Sequence, residues 1–302
     1  MVSVLLEPNS AFMDAKSDGE SDELALPVPT RSKIQASFLI ARPPPKSSLC
    51  LIPKLLLQFQ QLTNKDRPRP VMEIWQPSIC KSKLTRDFHQ RPKLRSGDSY
   101  ATYDEPYTIS SRNLGKQLEI SGKHREKHPA LHKKDPVAVM CHSTRDKAQA
   151  STISFRNEQC TWWVSTHSAG HAKPEIRYRF TIKDDHSSEG LSRGMSMQWE
   201  KRLSDGGDSA LVEDECKWGY FALCFIDHEA RRKSRIATMT QSRLDIRVRK
   251  SSSIEYLQTC MGLTRSPVNG CEYSESLEAQ LYTHVLTMGA WVADREGWLN
   301  HP

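Results

Sequence analysis

The chain has 302 residues, with 43 Lys and Arg against 36 Asp and Glu and a formal charge of +7 at neutral pH. Hydrophobic residues make up 37%, against roughly 45–50% in an ordinary globular domain on a count that also includes Gly, and mean hydropathy is −0.62. No run of about 18 apolar residues exists, which excludes a membrane-spanning helix, and the apolar content argues against one core over the whole length.

The opening Met1–Glu7 has no basic n-region and too short an apolar run for a signal peptide. The eight cysteines (50, 80, 141, 160, 216, 224, 260 and 271) are spread without a Cys-x-x-Cys pair, so they read as reduced thiols. The expected compartment is intracellular, cytoplasmic or nuclear.

Charge divides the chain into territories. Residues 1–25 hold one Lys against six acids, residues 26–134 hold 21 Lys and Arg against eight acids, and residues 135–302 hold 21 against 22. The expected organisation is a disordered acidic and Pro-rich tail over 1–48, then a basic, mostly irregular segment over 49–134. Within that segment, Pro53 followed by apolar residues predicts a short helix near 53–62. The basic stretch 26–134 is either an arm that attracts nucleic acid by counterion release or a solvated region whose charge keeps it soluble.

From residue 135 the texture changes. Val137–Cys141 is a short apolar run, and Ile153 and Phe155 alternate with polar residues. Thr161–Ser165 carries Trp162 and Trp163; Tyr178, Phe180 and Ile182 alternate, as do Met195, Met197 and Trp199. Tyr220–Ile226 is apolar on both faces, Arg235–Thr240 follows a charged turn, and Leu244, Ile246 and Val248 alternate again. This period of two predicts seven or eight short strands in a sandwich or small barrel. The period then becomes helical: Leu277, Leu281, Val285, Met288 and Val292 form one stripe with Trp291 beside it, and Gly297 is placed to stop a helix over about 275–296.

Several motifs are weighed against plainer readings. Gly190-Leu-Ser-Arg-Gly194 has the spacing of a nucleophile elbow, but polar residues precede it and a strand-like run follows, so Ser192 reads as a turn. His124, His128 and His132 recur every four residues, yet Pro129 and surrounding Lys and Arg oppose a metal-binding helix. No catalytic residue, metal site or cofactor is expected. Arg231, Arg232, Lys233 and Arg235 gather at one turn and are the candidate anion- or partner-binding residues, the alternative being a solvated hairpin tip. Neighbouring residues of a strand point to opposite faces, so one of Trp162 and Trp163 is the candidate exposed aromatic.

The strands followed by a helix bearing Trp291 resemble a pleckstrin-homology-like domain over residues 135–302, with the helix plugging one end of a partly open barrel. A second resemblance rests on Pro53–Gln60, Arg69-Pro70, Phe225–Arg235 and Gly289–Trp298, which look like an uncharacterised filamentous-fungal protein family. That resemblance implies an intracellular, non-enzymatic protein and carries no site residues. The expected fold is α+β, a small antiparallel sandwich or partly open barrel of about seven strands capped by a C-terminal helix, with a largely irregular N-terminal region. The expected function is a non-enzymatic module that binds an unidentified protein partner. The alternatives are binding of anionic lipid through the 231–235 turn or of nucleic acid through 26–134.

Overall fold

The structure, a computed structural model, describes residues 34–43, 52–63, 67–78, 84–88, 90–109, 135–142, 151–156, 158, 160–169, 175–183, 195–202, 219–248 and 270–299. Among these residues twelve segments are strands. The first four are β1 (Ile34–Ala41), β2 (Lys54–Leu62), β3 (Arg69–Gln76) and β4 (Ser99–Tyr103). The next four are β5 (Pro136–Cys141), β6 (Ser151–Phe155), β7 (Thr161–Ala169) and β8 (Glu175–Lys183). The last are β9 (Met195–Arg202), β10 (Tyr220–Asp227), β11 (Arg232–Met239) and β12 (Arg243–Val248). One long helix, α1, follows over Gly270–Arg295.

Each strand pairs antiparallel with its neighbours in the chain, and β12 pairs with β1, so the sheet closes into a barrel. In β1 the residues Ile34, Ala36, Phe38 and Ile40 are buried while those between are exposed or half-buried. The same alternation turns Phe59, Ile74, Phe180, Trp199, Leu244 and Ile246 inward. The outer wall instead carries Gln35, Gln58, Glu73, Arg179 and Arg247. Barrels that cross membranes place their apolar band outside and polar residues within; this wall has the opposite pattern.

Eight strands enclose an interior that wall side chains alone can fill, and diameter grows with strand number. Twelve therefore leave a lumen that needs another occupant, and α1 supplies it. Tyr282 meets Phe38 of β1, Thr283 bonds Tyr103 of β4, and His284 stacks on Phe155 of β6. Trp291 meets Tyr178 and Phe180 of β8, while Gly289 lies against Leu244, Met239 and Trp199 of β12, β11 and β9. Contacts on all sides place the helix along the lumen. Its buried residues accordingly include Tyr282, Leu286, Thr287, Ala290 and Ala293 as well as the apolar stripe.

Small residues let the helix approach the wall. A Cβ on Gly289 would lie 2.8 Å from Leu244 Cδ1 and 3.2 Å from Met239 Sδ, both in fully packed side chains. Gly289→Val is expected to lower the unfolding free energy by about 2 kcal/mol or more through overpacking. Urea denaturation measures this, and an unchanged midpoint would show the helix–wall contact to be loose. The helix ends in a Schellman motif: Trp298 N–H donates to Ala293 O at 2.8 Å and Gly297 N–H to Asp294 O at 3.0 Å, with Gly297 at φ 74°.

This architecture corrects the seven-strand, pleckstrin-homology-like expectation. The barrel is closed, has twelve strands, and holds the helix inside where an end cap was expected. The N-terminal region is not largely irregular, since β1–β4 lie between β12 and β5 and close the barrel. The boundary expected at 135 falls inside that barrel, and the compact unit runs from Arg31 to Pro302. The helix expected near 53–62 is strand β2, because Leu57, Phe59 and Gln61 alternate inward against β1 and β3. Gln61 also clamps the chain after β4: its Nε2 donates to Thr108 O at 2.8 Å and its Oε1 accepts from Thr108 N–H at 2.7 Å.

The segment between β3 and β4 covers part of the outer wall. Phe88, with Leu84 and Leu94, packs on Tyr100, Val139 and Trp75. Arg156 anchors it through Asp87 at 2.6 Å and also holds Asp135 at 3.2 Å. Much of the 49–134 segment is thus wall and wall covering.

Candidate functional site

The basic turn comes first because local chemistry builds it. Asp227, 3% exposed, accepts at Oδ1 from the amides of Glu229 at 3.0 Å and Ala230 at 2.9 Å. That arrangement starts the His228–Arg231 turn, and Arg231 closes it at φ 50°. Ser196 Oγ and His228 Nε2 lie 3.0 Å apart and tie the turn to β9. Arg231, Arg232, Lys233 and Arg235 are all exposed. They do not act as one cluster. Lys233 Nζ donates to Glu200 Oε1 at 2.5 Å, whereas among the described residues no carboxylate pairs with Arg231, Arg232 or Arg235.

Register extends the basic region beyond the turn, because opposed residues of antiparallel strands lie on the same side of a sheet. Arg177 and Arg179 of β8 stand opposite Glu200 and Gln198 of β9. Gln198 in turn stands opposite Cys224 of β10, which stands opposite Arg235 of β11; Ile226 stands opposite Lys233. These four strands therefore share an outer face bearing Arg177, Arg179, Arg202, Lys233 and Arg235 around Glu200. On β12, Arg243 and Arg247 continue the charge, with Arg243 Nε 2.9 Å from Asp245 Oδ1.

Glu200 organises this face. It is 3% exposed and accepts from Lys233 Nζ at 2.5 Å, Arg202 NH2 at 2.5 Å and Gln198 Nε2 at 2.7 Å. Gln198 Oε1 accepts from Arg179 Nε at 3.3 Å. Burial works to raise the Glu200 carboxyl, but the bonds and charges of Lys233, Gln198 and Arg202 outweigh it and hold it below the usual range. One carboxylate thus fixes two cations directly and a third through an amide.

The tryptophan pair divides across the wall. Trp162 opposes Ile153 and Ile182 on the inner face and is 2% exposed, so it is not the outward aromatic. Trp163 opposes Thr152 and Thr181 and lies half-buried outside. Strand alternation requires this split, and the helix-filled lumen determines which side is dry.

Titratable groups also occur within the barrel. His284 Nε2 lies 2.5 Å from Glu158 Oε1, and its Nδ1 donates to Gln280 O at 2.8 Å. Burial lowers the imidazole, but the Glu158 charge and the bonds to Glu158 and Gln280 O raise it above its usual value overall. Near the other end of α1, His142 stacks on Trp291 with centroids 5.9 Å apart. Its Nε2 is 3.3 Å from Asp294 Oδ2. Burial, with the Arg295 charge beside it, pushes His142 down to about 4.

A depressed histidine binds its proton more readily in the unfolded chain, so its stabilising effect is lost as pH falls below about 6.5. Between pH 6.5 and 5 the expected loss is about 2 kcal/mol, at about 1.4 kcal/mol per unit. Asp294, raised by burial, opposes it at lower pH. Chemical denaturation across that range should show a slope that His142→Gln removes, and an unaltered slope would reject the assignment.

Among the described residues no three His, Cys, Asp or Glu side chains gather as a metal site. Among the described residues Cys141, Cys160 and Cys224 form no disulfide, and burial pushes Cys141 up to about 12. Among the described residues no helix is long and apolar enough to cross a membrane. The segment before residue 34, the His124, His128 and His132 run, and Ser192 lie outside the described residues. Arg177, Arg179 and Arg202 are the members of the basic face that turn-centred reading missed. Their signal was the outward half of the alternation in β8 and β9. Comparison with protein-family models, curated proteins and solved structures gives no match.

Proposed function

We propose that this barrel is a non-enzymatic interaction module whose working surface is the outer face of β8–β12, with Arg231, Arg232, Lys233 and Arg235 at its margin. The observation behind this reading is that α1 occupies the lumen, the place where ligand-binding barrels keep a cavity. Binding is left to the outside, where fixed cations outnumber carboxylates on adjoining strands. Arginine predominates there, and its planar fork suits oxyanions better than the point charge of lysine.

The test compares proteins co-purifying with the full chain and with its Arg231→Glu, Arg232→Glu, Arg235→Glu variant. The expected result is a partner set lost on charge reversal at an unchanged thermal midpoint. A set retained by the variant rejects this surface. A second reading, contact with anionic lipid, draws on Arg231 and Arg232, which stand at a hairpin tip without a carboxylate partner among the described residues. Co-sedimentation that is indifferent to anionic lipid content removes it.

A further inference from the structure

Resting on that reading of the outer face, we infer that its partner is an acidic protein segment in extended conformation, held by Arg177, Arg179, Arg202 and Arg235 across β8–β11. The first argument is preorganisation. Arg179 is bound through Nε to Gln198, and Arg202 through one terminal nitrogen to Glu200. Among the described residues no bond takes the two terminal nitrogens of Arg179. Its fork is therefore oriented yet open to a carboxylate, and a side chain already fixed loses less freedom on binding.

Spacing is the second argument. Arg177 and Arg179 are two residues apart on one strand, about 6.6–6.8 Å along it, which is also the repeat of alternate side chains in an extended peptide. A closed barrel offers no strand edge for an added strand, so recognition must come from side chains on the face.

The same face disfavours other polyanions. The outward positions opposed across β8–β11 are Thr181, Arg179 and Arg177, then Gln198, Glu200 and Arg202, then Tyr220, Ala222, Cys224 and Ile226, then Lys233 and Arg235. Tyr220, opposite Arg202, is the one aromatic among these positions, so the successive bases of a single strand find no stacking platform there. A bilayer is flat, whereas the cations follow the curve of the barrel over four strands. A flexible chain can follow that curve.

The experiment titrates the full chain into a fluorescent (Asp-Ser)6 peptide and reads anisotropy. Comparison probes are (Lys-Ser)6, phosphatidylcholine vesicles containing phosphatidylserine, and oligo-dT. The acidic peptide should bind saturably, and its affinity should fall by about tenfold between about 50 and 300 mM salt. Arg179→Gln with Arg235→Gln should weaken it by about tenfold while the thermal midpoint holds. If that pair perturbs folding, Arg235→Gln alone should weaken it severalfold. No binding of (Asp-Ser)6, or binding indifferent to both variants, overturns the inference. Arginine-dependent binding of vesicles or oligo-dT in its place overturns the acidic segment while leaving the outer-face reading intact. Loss of the co-purification result removes both.

Discussion

A chain ending at residue 269 should fail to form the barrel. Truncation there removes Leu281, Tyr282, Val285, Leu286, Met288, Trp291 and Val292, each at most 2% exposed and each within the one continuous core. Loss of a single buried Trp typically costs about 3–5 kcal/mol, and an entire domain is held by only about 5–15 kcal/mol. The lumen left behind would be too wide for the wall side chains to close. Circular dichroism should show no cooperative thermal transition for the truncated chain. Since truncation can also cause aggregation, Trp291→Ala gives a graded check. It should remain folded but lose about 3–5 kcal/mol in urea, because Tyr178, Phe180 and His142 all lose their partner. A cooperative transition in the truncated chain at the full-length midpoint would refute the central role of α1.

Glu158→Ala should be the most damaging substitution of a single polar group. Glu158 holds His284 at 2.5 Å, and it also accepts from Trp162 Nε1 at 3.4 Å. Removing one partner of a buried pair leaves the other charge or donor uncompensated, at a cost of about 3–5 kcal/mol. The pH response identifies the cause. A raised histidine contributes stability that is fully present below its unfolded value near 6.5 and is lost as pH rises through its folded value. Wild-type stability should therefore decline on the alkaline side, and Glu158→Ala should flatten that decline. A loss below about 1 kcal/mol with the alkaline slope unchanged would show that the pair is not coupled to folding. His142 acts with the opposite sign on the acid side, so the two histidines confine maximal stability to a window between them.

The strands after residue 135 were legible because their alternations survive in sequence. Tyr178 and Phe180, Met197 and Trp199, and Leu244 and Ile246 are all inward-facing in the barrel. The four earlier strands were obscured by strong local signals of another kind. Leu55, Leu56 and Leu57 run consecutively after Pro53 and imitate a helix start. Pro70 lies within β3, beside an irregularity in its pairing with β2. β4 presents Tyr100 and Thr102 outward, and both are buried, with Tyr100 under Phe88. Its own sequence therefore shows no two-faced pattern.

The basic face was hidden by averaging. Residues 135–302 are close to neutral overall, yet residues 184–194 and 203–218 contain eight acids against Arg193 and Lys217. The strands between and after them keep the cations. Counting charge by territory therefore points toward residues 26–134, while counting it by outward strand position points to β8–β12. Only the second count follows how a sheet displays its side chains.

Local periodicity alone determined that this chain has alternating strands and a long C-terminal helix ended by Gly297. Both follow from backbone geometry acting over a few residues. Tertiary structure decided the strand number, the closure and the position of the helix. These depend on β12 finding β1 across more than 200 residues and on an enclosed volume that no local pattern encodes. The same closure made His284, Thr287 and Gly289 interior groups, although along the helix they look like an ordinary polar face.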